Sequence, residues 1–187
     1  MSLPSIEFSH VGIHVWNMET MVGFYQRVLG LVVTDRGWLP GRELTFMSRN
    51  PREHHQVVLA SGRSGNRDDK VVNQISFRVP TLEGLQQMFR WLQAEPGPTG
   101  FRAITHGNAW TLYFYDPEGN RIELFVDAPW YVSQPFSEPL DLNLPPDTIR
   151  QETEAMCRTD PSFEPVEVWR ERLKARIEQD QSSNIKP

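Results

Sequence analysis

The chain has 187 residues, with 19 lysines and arginines against 24 aspartates and glutamates, which gives a formal net charge of −5. This acidic balance argues against nucleic-acid binding, which normally needs a basic surface, and the length accommodates one domain with an appendage. No segment approaches the roughly 20 consecutive apolar residues of a membrane span, and MSLPSIEF lacks the basic and apolar regions of a signal peptide. We therefore expect a cytoplasmic protein without membrane partners, in which the single cysteine, Cys157, forms no internal disulfide.

The first part of the chain predicts a strand, a helix and three further strands. SIEFSHVGIHVW is rich in residues that favour strands, and Asn17 and Gly30 are suitable caps for an amphipathic helix between them. The segments LVVTD, ELTFMS and HQVVLA follow as predicted strands. Together they form a βαβββ module over about residues 5–61.

The second part repeats this order. VVNQISFRV is a predicted strand, Thr81 is a suitable helix cap, and FRAITH, WTLYFY and NRIELFV are three more predicted strands. SHVGIHV aligns with NQISFRV, and SRNPREHHQVVLA aligns with FYDPEGNRIELFV. The repeat predicts a second module over about residues 71–127 and an α+β fold. In this fold the two βαβββ modules form an open, barrel-like sheet of eight strands around a cavity.

A C-terminal extension is predicted at residues 129–187, after a main domain at residues 1–128. Eight of the 15 prolines fall at or after Pro129, where the strand-like alternation ends. An amphipathic helix is predicted to begin at Pro165, because four apolar residues recur at helical spacing: Val166, Trp169, Leu173 and Ile177. The apolar stripe of this helix needs a partner, which is either the main domain or a neighbouring subunit.

Strand periodicity places His10, Gln74 and Glu123 on the cavity faces of the first, fifth and eighth strands. Their imidazole nitrogen, amide oxygen and carboxylate oxygen are all suitable ligands for a divalent metal. Each residue also has an ordinary structural explanation: a histidine bonded to a backbone carbonyl, a solvent-facing amide, and an ion-pair partner for Arg121 or Arg102. Spacing alone leaves both interpretations open.

Two segments, HVGIHVWNMETMVGFYQRVLGL and YFYDPEGNRIELF, resemble the vicinal oxygen chelate superfamily of glyoxalases, fosfomycin and bleomycin resistance proteins and type I extradiol dioxygenases. The likeness covers residues 5 to about 135 and is strongest to single-domain extradiol dioxygenases similar to dihydroxybiphenyl dioxygenase. It implies that His10 and Glu123 are metal ligands. Gln74 stands where these dioxygenases usually have a second histidine, so the usual two-histidine, one-carboxylate triad is altered. His14 or His55 is an alternative source of the missing nitrogen.

The resemblance also implies roles for residues around the metal. His55, the second histidine in PREHHQVVL, matches an acid–base histidine of the dioxygenases. Tyr113 lies ten residues before the metal glutamate, as the family's active-site tyrosine does, and Tyr115 on the same strand face competes for this role. His14 and His106 are expected to contact the substrate, with surface or turn histidines as the ordinary alternative.

These features predict a metal-dependent extradiol-type dioxygenase that cleaves the ring of a catechol-like aromatic diol with O2. Fe(II) is the favoured metal and Mn(II) the alternative. The repeat assigns Val57 as the counterpart of Glu123, and an apolar residue there leaves metal positions open, which favours a dioxygenase over a glyoxalase. The competing functions are a glyoxalase-like isomerase or transferase, which the amide ligand favours, and a metal-free protein that binds aromatic ligands. The resemblance further implies a homodimer or larger homo-oligomer.

Overall fold

The computed structural model describes residues 7–67, 69 and 71–183. The first module contains β1 (Val11–Val15), α1 (Met18–Leu29), β2 (Val32–Leu39), β3 (Arg42–Ser48) and β4 (Val57–Ser61). The second contains β5 (Ile75–Arg78), α2 (Leu82–Ala94), β6 (Thr99–Thr105), β7 (Ala109–Tyr115) and β8 (Arg121–Asp127). The extension adds β9 (Trp130–Tyr131), β10 (Glu138–Pro139), α3 (Pro146–Cys157), β11 (Glu164–Pro165) and α4 (Val166–Ser183). Both predicted βαβββ modules, and with them the α+β fold class, are confirmed.

The eight module strands are divided between two sheets. The first sheet has the order β1-β4-β3-β2, and the second has the order β10-β6-β7-β8-β5, so the short strand β10 of the extension widens the second sheet. In each module the first and last strands pair in parallel and the remaining pairs are antiparallel. Across the described part of the chain, no strand of one module pairs with a strand of the other. Each module therefore forms a sheet of its own.

The two module helices begin and end where local chemistry dictates. Asn17 Oδ1 accepts a hydrogen bond from the backbone N–H of Thr20 at 2.9 Å, and Thr81 Oγ1 accepts one from Gly84 at 3.1 Å. Helix α1 ends at Gly30, whose φ of 65° is a left-handed conformation that glycine adopts without a Cβ penalty. Both predicted N-caps and the predicted C-terminal stop are confirmed.

The carboxylate of Glu118 joins the two modules. This side chain lies in the turn between β7 and β8 and accepts hydrogen bonds from the backbone N–H groups of Trp16 at 2.8 Å and Asn17 at 2.7 Å, immediately before α1. The guanidinium of Arg63 lies 3.4 Å from the same carboxylate. Because the first backbone N–H groups of a helix have no partner within the helix, a carboxylate here is especially stabilising.

Asp116, two residues earlier, organises the same turn. Its carboxylate accepts from the backbone N–H groups of Glu118 at 3.0 Å and Asn120 at 2.8 Å, and from the hydroxyl of the buried Tyr25 of α1 at 3.4 Å. Burial raises the pKa of the Asp116 carboxyl above its ordinary value. The first two carboxylates of DPEGNRIELF are therefore structural, because the backbone and α1 use their acceptor sites.

The extension packs on the second module. The indole N–H of Trp110 on β7 donates to the Thr153 hydroxyl of α3 at 3.0 Å. Gln86 of α2 donates to the carbonyls of Leu142 at 2.8 Å and Leu144 at 2.7 Å, just before α3. Helix α3 is therefore fixed to the second module by buried polar bonds. The separation of the extension from the main domain stays a prediction.

The predicted helix after Pro165 is present as α4, and its first turns pack on the extension itself. The Trp169 indole stacks on the Tyr131 ring, with centroids 5.0 Å apart. Further along the helix, Leu173 and Ile177 are exposed to solvent. Within the residues that the structure describes, none of the helices combines the length and the apolar character needed to cross a membrane.

Candidate functional site

Alternate residues of the second sheet line a cavity of about 600 Å³. Those from β7 and β8 are Ala109, Thr111, Tyr113, Arg121, Glu123 and Phe125. The intervening side chains point to the opposite face and are buried in the core: Trp110, Leu112, Phe114, Ile122, Leu124 and Val126. The predicted alternation of the eighth strand, with its glutamate on the cavity face, is observed.

Glu123 lies at the centre of this face, and its side chain is only 7% exposed. Its Oε2 atom accepts hydrogen bonds from Gln74 Nε2 at 2.6 Å and from the Ser76 hydroxyl. A buried carboxylate normally needs a cation or several donors, and here side-chain donors meet that need. Unlike the bonds of the two turn carboxylates, these side-chain bonds can rearrange when a ligand binds.

Tyr113 and His106 form a hydrogen-bonded pair beside Glu123. The His106 Nδ1 atom lies 2.9 Å from the carbonyl of Phe136, and His106 Nε2 lies 2.9 Å from the Tyr113 hydroxyl. A carbonyl can only accept, so in the neutral imidazole Nδ1 donates to it and Nε2 accepts from the phenol. Burial and the neighbouring Glu123 carboxylate raise the pKa of Tyr113 to about 12, so this phenol is a proton donor at neutral pH.

A second group of polar side chains lies on the first sheet. The rings of His10 and His55 have centroids 4.2 Å apart, and His55 Nδ1 is 2.8 Å from His54 Nδ1. His54 Nε2 in turn lies 2.6 Å from the Asp35 carboxylate. Desolvation and the adjacent histidines lower the pKa of His55. The histidine pair singled out from the sequence is therefore next to the histidine of the first strand.

Of the three predicted metal ligands, Gln74 and Glu123 lie together in one cavity, and His10 is not among the residues that line it. Tyr113 and His106 line the same cavity. The two modules meet through α1 and the turn at residues 116–118, and they also approach each other at β1 and β5, where Ser9 and Val11 line a second cavity together with Gln74 and Ser76. Within the described ranges, no group of three or more His, Cys, Asp or Glu side chains could hold a metal ion.

The remaining predicted site residues lie apart from Glu123. His14 is exposed on β1, where its strand neighbours Ile13 and Val15 are buried. It lies on the same face of the strand as His10, as the periodicity predicted. It does not line the cavity that contains Glu123. Tyr115, the competing tyrosine, does not line this cavity either, so Tyr113 is the better placed of the two.

The counterpart of Glu123 in the first module is Val58, not Val57. Val58 pairs with Gly12 of β1 in the way that Glu123 pairs with Ser76 of β5, and Val57 is buried in the core. The prediction was wrong by one residue because it took the span from the first to the last strand as two residues longer in the second module, whereas the strand pairs make it one residue longer. Since Val58 is also apolar, the first module still contributes no carboxylate at this place.

Several cavity residues were missed at the sequence level. Strand alternation could have found Arg102 and Thr111, since both lie on predicted strands and share the cavity face with Tyr113. Gln134 and Ser137 had no such signal, because they come from the irregular part of the extension. Gln134 donates to the backbone carbonyl of His106 at 2.7 Å, so the extension forms one rim of the cavity.

The donor set of this cavity fits a divalent cation only in part. Glu123 offers a carboxylate and Gln74 an amide oxygen, both of which suit such an ion. The Gln74 oxygen now accepts from the Asn73 side chain at 3.3 Å while its NH2 group faces Glu123. Turning the amide over would place both oxygens together. A stable site then needs at least one further ligand from elsewhere.

Comparison with known proteins identifies the class. Residues 7–124 match the family model of the Glyoxalase/Bleomycin resistance protein/Dioxygenase superfamily, and the chain belongs to this vicinal oxygen chelate superfamily. One similar curated protein is biphenyl-2,3-diol 1,2-dioxygenase 2 of Rhodococcus globerulus, which is 28% identical over 125 residues. The match covers 65% of this chain and 63% of that protein, so the chain spans less than two thirds of the relative's length.

Solved structures share the fold at low sequence identity. A glyoxylase/bleomycin resistance protein/dioxygenase domain from Frankia sp. EAN1pec matches with a TM-score of 0.56 at 19% identity, over 68% of this chain and 100% of that chain. The fosfomycin resistance protein FosX of Listeria monocytogenes, in complex with Mn(II) and sulfate, matches with a TM-score of 0.51 at 15% identity, over 65% and 93%. These likenesses show the fold.

Proposed function

We propose that this protein is a metal-dependent dioxygenase of the extradiol type, which opens the ring of a catechol-like diol with O2. The observation that carries the proposal is Glu123, a nearly buried carboxylate whose partners are the movable side chains of Gln74 and Ser76. A carboxylate buried in this way at the wall of a ligand-sized cavity is a typical functional group. The similarity to the Rhodococcus biphenyl-diol dioxygenase supports the choice of reaction.

The proposed metal ligands are Glu123 and Gln74 of one chain and His10 of a second copy. His10 is exposed beside His55 on the inner face of the first sheet, and within its own chain it does not line the cavity that contains Glu123. In a two-fold symmetric dimer, the first sheet of each copy would cover the cavity of the other, which yields two equivalent composite sites. The Mn(II) complex of FosX supports a divalent metal, and Fe(II) remains our favoured choice.

Glu123, Gln74 and the His10 of a second copy would hold the metal, which would supply Lewis acidity toward the diol and electron transfer to O2. The side chains of the protein would orient the substrate and transfer its protons. Phe125 offers an apolar surface for the aromatic ring, and Tyr113 would donate a hydrogen bond to a substrate oxygen. In the free protein His106 Nε2 accepts the single Tyr113 proton, so the hydroxyl would have to turn from His106 to the substrate oxygen. His55 would accept a proton from the diol and return it to the product.

A glyoxalase-like isomerase or transferase is the second candidate. The amide of Gln74 favours it, since an amide in place of the second histidine departs from the usual dioxygenase triad. The apolar Val58 argues against it, because no carboxylate is available at the counterpart position. A metal-free binding protein is less well supported, since such a cavity has no need for the buried Glu123 carboxylate.

Metal analysis combined with a panel of catechols tests the proposal. Protein purified without chelators is expected to contain stoichiometric iron or manganese and to form coloured ring-fission products. The Glu123→Gln variant should lose most of its metal while retaining its melting temperature, because the substitution removes a charge but preserves shape. Glu138→Gln, an exposed carboxylate on β10, is the matched control and should retain its metal. Full metal occupancy in Glu123→Gln, or zinc or nickel with turnover of methylglyoxal and glutathione, would contradict the proposal.

A further inference from the structure

A row of side chains crosses the second sheet from strand to strand. Arg102 of β6 lies opposite Tyr113 of β7, Tyr113 opposite Glu123 of β8, and Glu123 opposite Ser76 of β5. All four line the same cavity. Neighbouring strands lie about 4.8 Å apart, so the backbone of Arg102 is roughly 10 Å from that of Glu123. A planar ligand with one ring and a short side chain spans such a distance.

The cavity holds more positive than negative charge. Its charged lining residues are the guanidiniums of Arg102 and Arg121 and the single carboxylate of Glu123, whose Oε2 already accepts two hydrogen bonds. The Arg121 guanidinium lies over the Tyr113 ring, 5.6 Å from its centroid. Arg102 forms no ion pair with any carboxylate in the described part of the chain, whereas Arg78 on the same sheet is paired with Asp127 at 2.8 Å. A divalent cation at Glu123 would increase the positive charge further.

Thr111 provides a second, independent observation about this cavity. It lies on the cavity face of β7, two residues from Tyr113, and is fully buried. Its hydroxyl has no hydrogen-bond partner among the described residues. A buried hydroxyl without a partner is costly, and a polar ligand group in the cavity would satisfy it. Thr111 is flanked across the sheet by the apolar Ile104 and Phe125, which suit an aromatic ring.

We propose that the cavity selects diols that carry an anionic side chain, a carboxylate in the simplest case, and that Arg102 binds this anion. The inference rests on the proposed function of the same cavity and names its substrate class. The diol end lies at Glu123, the ring lies over Phe125 beside the Thr111 hydroxyl, and the carboxylate reaches the guanidinium. Guanidinium and carboxylate form paired, charge-assisted hydrogen bonds, which a neutral side chain cannot replace.

Two catechols that differ only in charge test the proposal: dihydroxyphenylacetate, with a carboxylate, and ethylcatechol, with a neutral side chain of similar length. Wild-type protein should bind and cleave the acid preferentially. Arg102→Ala should raise the KM and the Kd of the acid about 10- to 100-fold, as expected when a charge-assisted hydrogen bond is lost, and leave both values for ethylcatechol nearly unchanged. The kcat for ethylcatechol should not change, because Arg102 binds the anion and not the reacting atoms. Arg102→Lys should retain part of the preference.

Arg150→Ala is the matched control, because it removes an arginine of α3 that is already paired, with Glu83 at 2.6 Å, and that does not line the cavity. It should leave the preference intact. Calorimetric binding to metal-loaded protein measures the preference without turnover. Ring cleavage without a preference for the acid would overturn this inference and leave the proposed function standing. An Arg102-dependent preference in binding without ring cleavage of either diol would support the anion site and overturn the proposed function.

Discussion

Three buried carboxylates of DPEGNRIELF differ in what surrounds them, and this separates their roles. Asp116 and Glu118 accept from backbone N–H groups, from Tyr25 and from an arginine, so their positions are fixed by the fold. Glu123 accepts from two side chains at the wall of a cavity. Only Glu123 can exchange its partners for a ligand without unfolding the turn or detaching α1.

Asp116 makes folding stability depend on pH in a direction that can be tested. Because burial raises its pKa above the ordinary 3.8, the folded state binds more protons than the unfolded state between these two values. The contribution of Asp116 to stability is therefore greatest below the ordinary pKa and is lost progressively as pH rises through the raised pKa. Asp116→Asn cannot ionise, so the stability advantage of the wild type over this variant should shrink as pH rises.

Urea unfolding of both proteins across the acid-to-neutral range measures this effect. Glu152→Gln, which removes an exposed carboxylate of α3, should follow the wild-type pH dependence. If the curves of wild type and Asp116→Asn run parallel over the whole range, burial of Asp116 does not perturb its ionisation and the explanation is wrong.

Among the elements, α3 is attached to β7 by a buried hydrogen bond. The Thr153 hydroxyl accepts from the Trp110 indole N–H at 3.0 Å and donates to the Ile149 carbonyl at 2.6 Å. Thr153→Val keeps the shape of the side chain but leaves the indole N–H buried without a partner. We expect a loss of about 1–3 kcal/mol in the free energy of unfolding, measured by urea denaturation.

Thr148→Val on the same helix is the matched control. Thr148 is half-buried and has no side-chain hydrogen bond recorded in the described part of the chain, so its replacement should change stability by less than about 0.5 kcal/mol. Equal losses in the two variants would mean that the cost comes from helix propensity and not from the bond between α3 and β7.

The elements themselves were predictable because their signals are local. Asn17, Gly30 and Thr81 act on residues within one turn of the chain, and alternation along a strand fixes which side chains share a face. The predicted counterpart of Glu123 in the first module, Val57, was wrong by one position, since no local signal fixes how many residues a loop takes up between two strands.

The relation between the modules was not predictable from the sequence. The repeat implied that His10 and Glu123 face one cavity, but their relative position depends on how α1 meets the turn of the other module. The contacts that fix it, such as those of Glu118 with Trp16 and Asn17, join residues about a hundred positions apart. No spacing in a single sequence identifies such pairs, whereas the grouping of Gln74 with Glu123 follows from two paired strands.

At the scale of the whole molecule, the proposed function gives each chain two halves of a site and no complete one. The first sheet offers the imidazoles of His10 and His55, and the second offers the carboxylate and amide of Glu123 and Gln74. A two-fold symmetric pair of chains would bring the first face of each copy over the cavity of the other. The homodimer that the sequence resemblance implied would then be required for catalysis.

Subunit complementation tests this central claim most directly. His10→Ala and Glu123→Ala should each be inactive and free of metal. After unfolding and refolding of an equal mixture, about half of the dimers are mixed and each has one complete site, so about one quarter of the wild-type metal content and ring-cleavage rate should return. A mixture of His10→Ala with the variant that carries both substitutions should regain neither metal nor ring-cleavage activity, because its dimers contain no complete site. If the equal mixture also remains without metal and activity although mixed dimers have formed, His10 and Glu123 do not share a metal across two chains, and the account is contradicted.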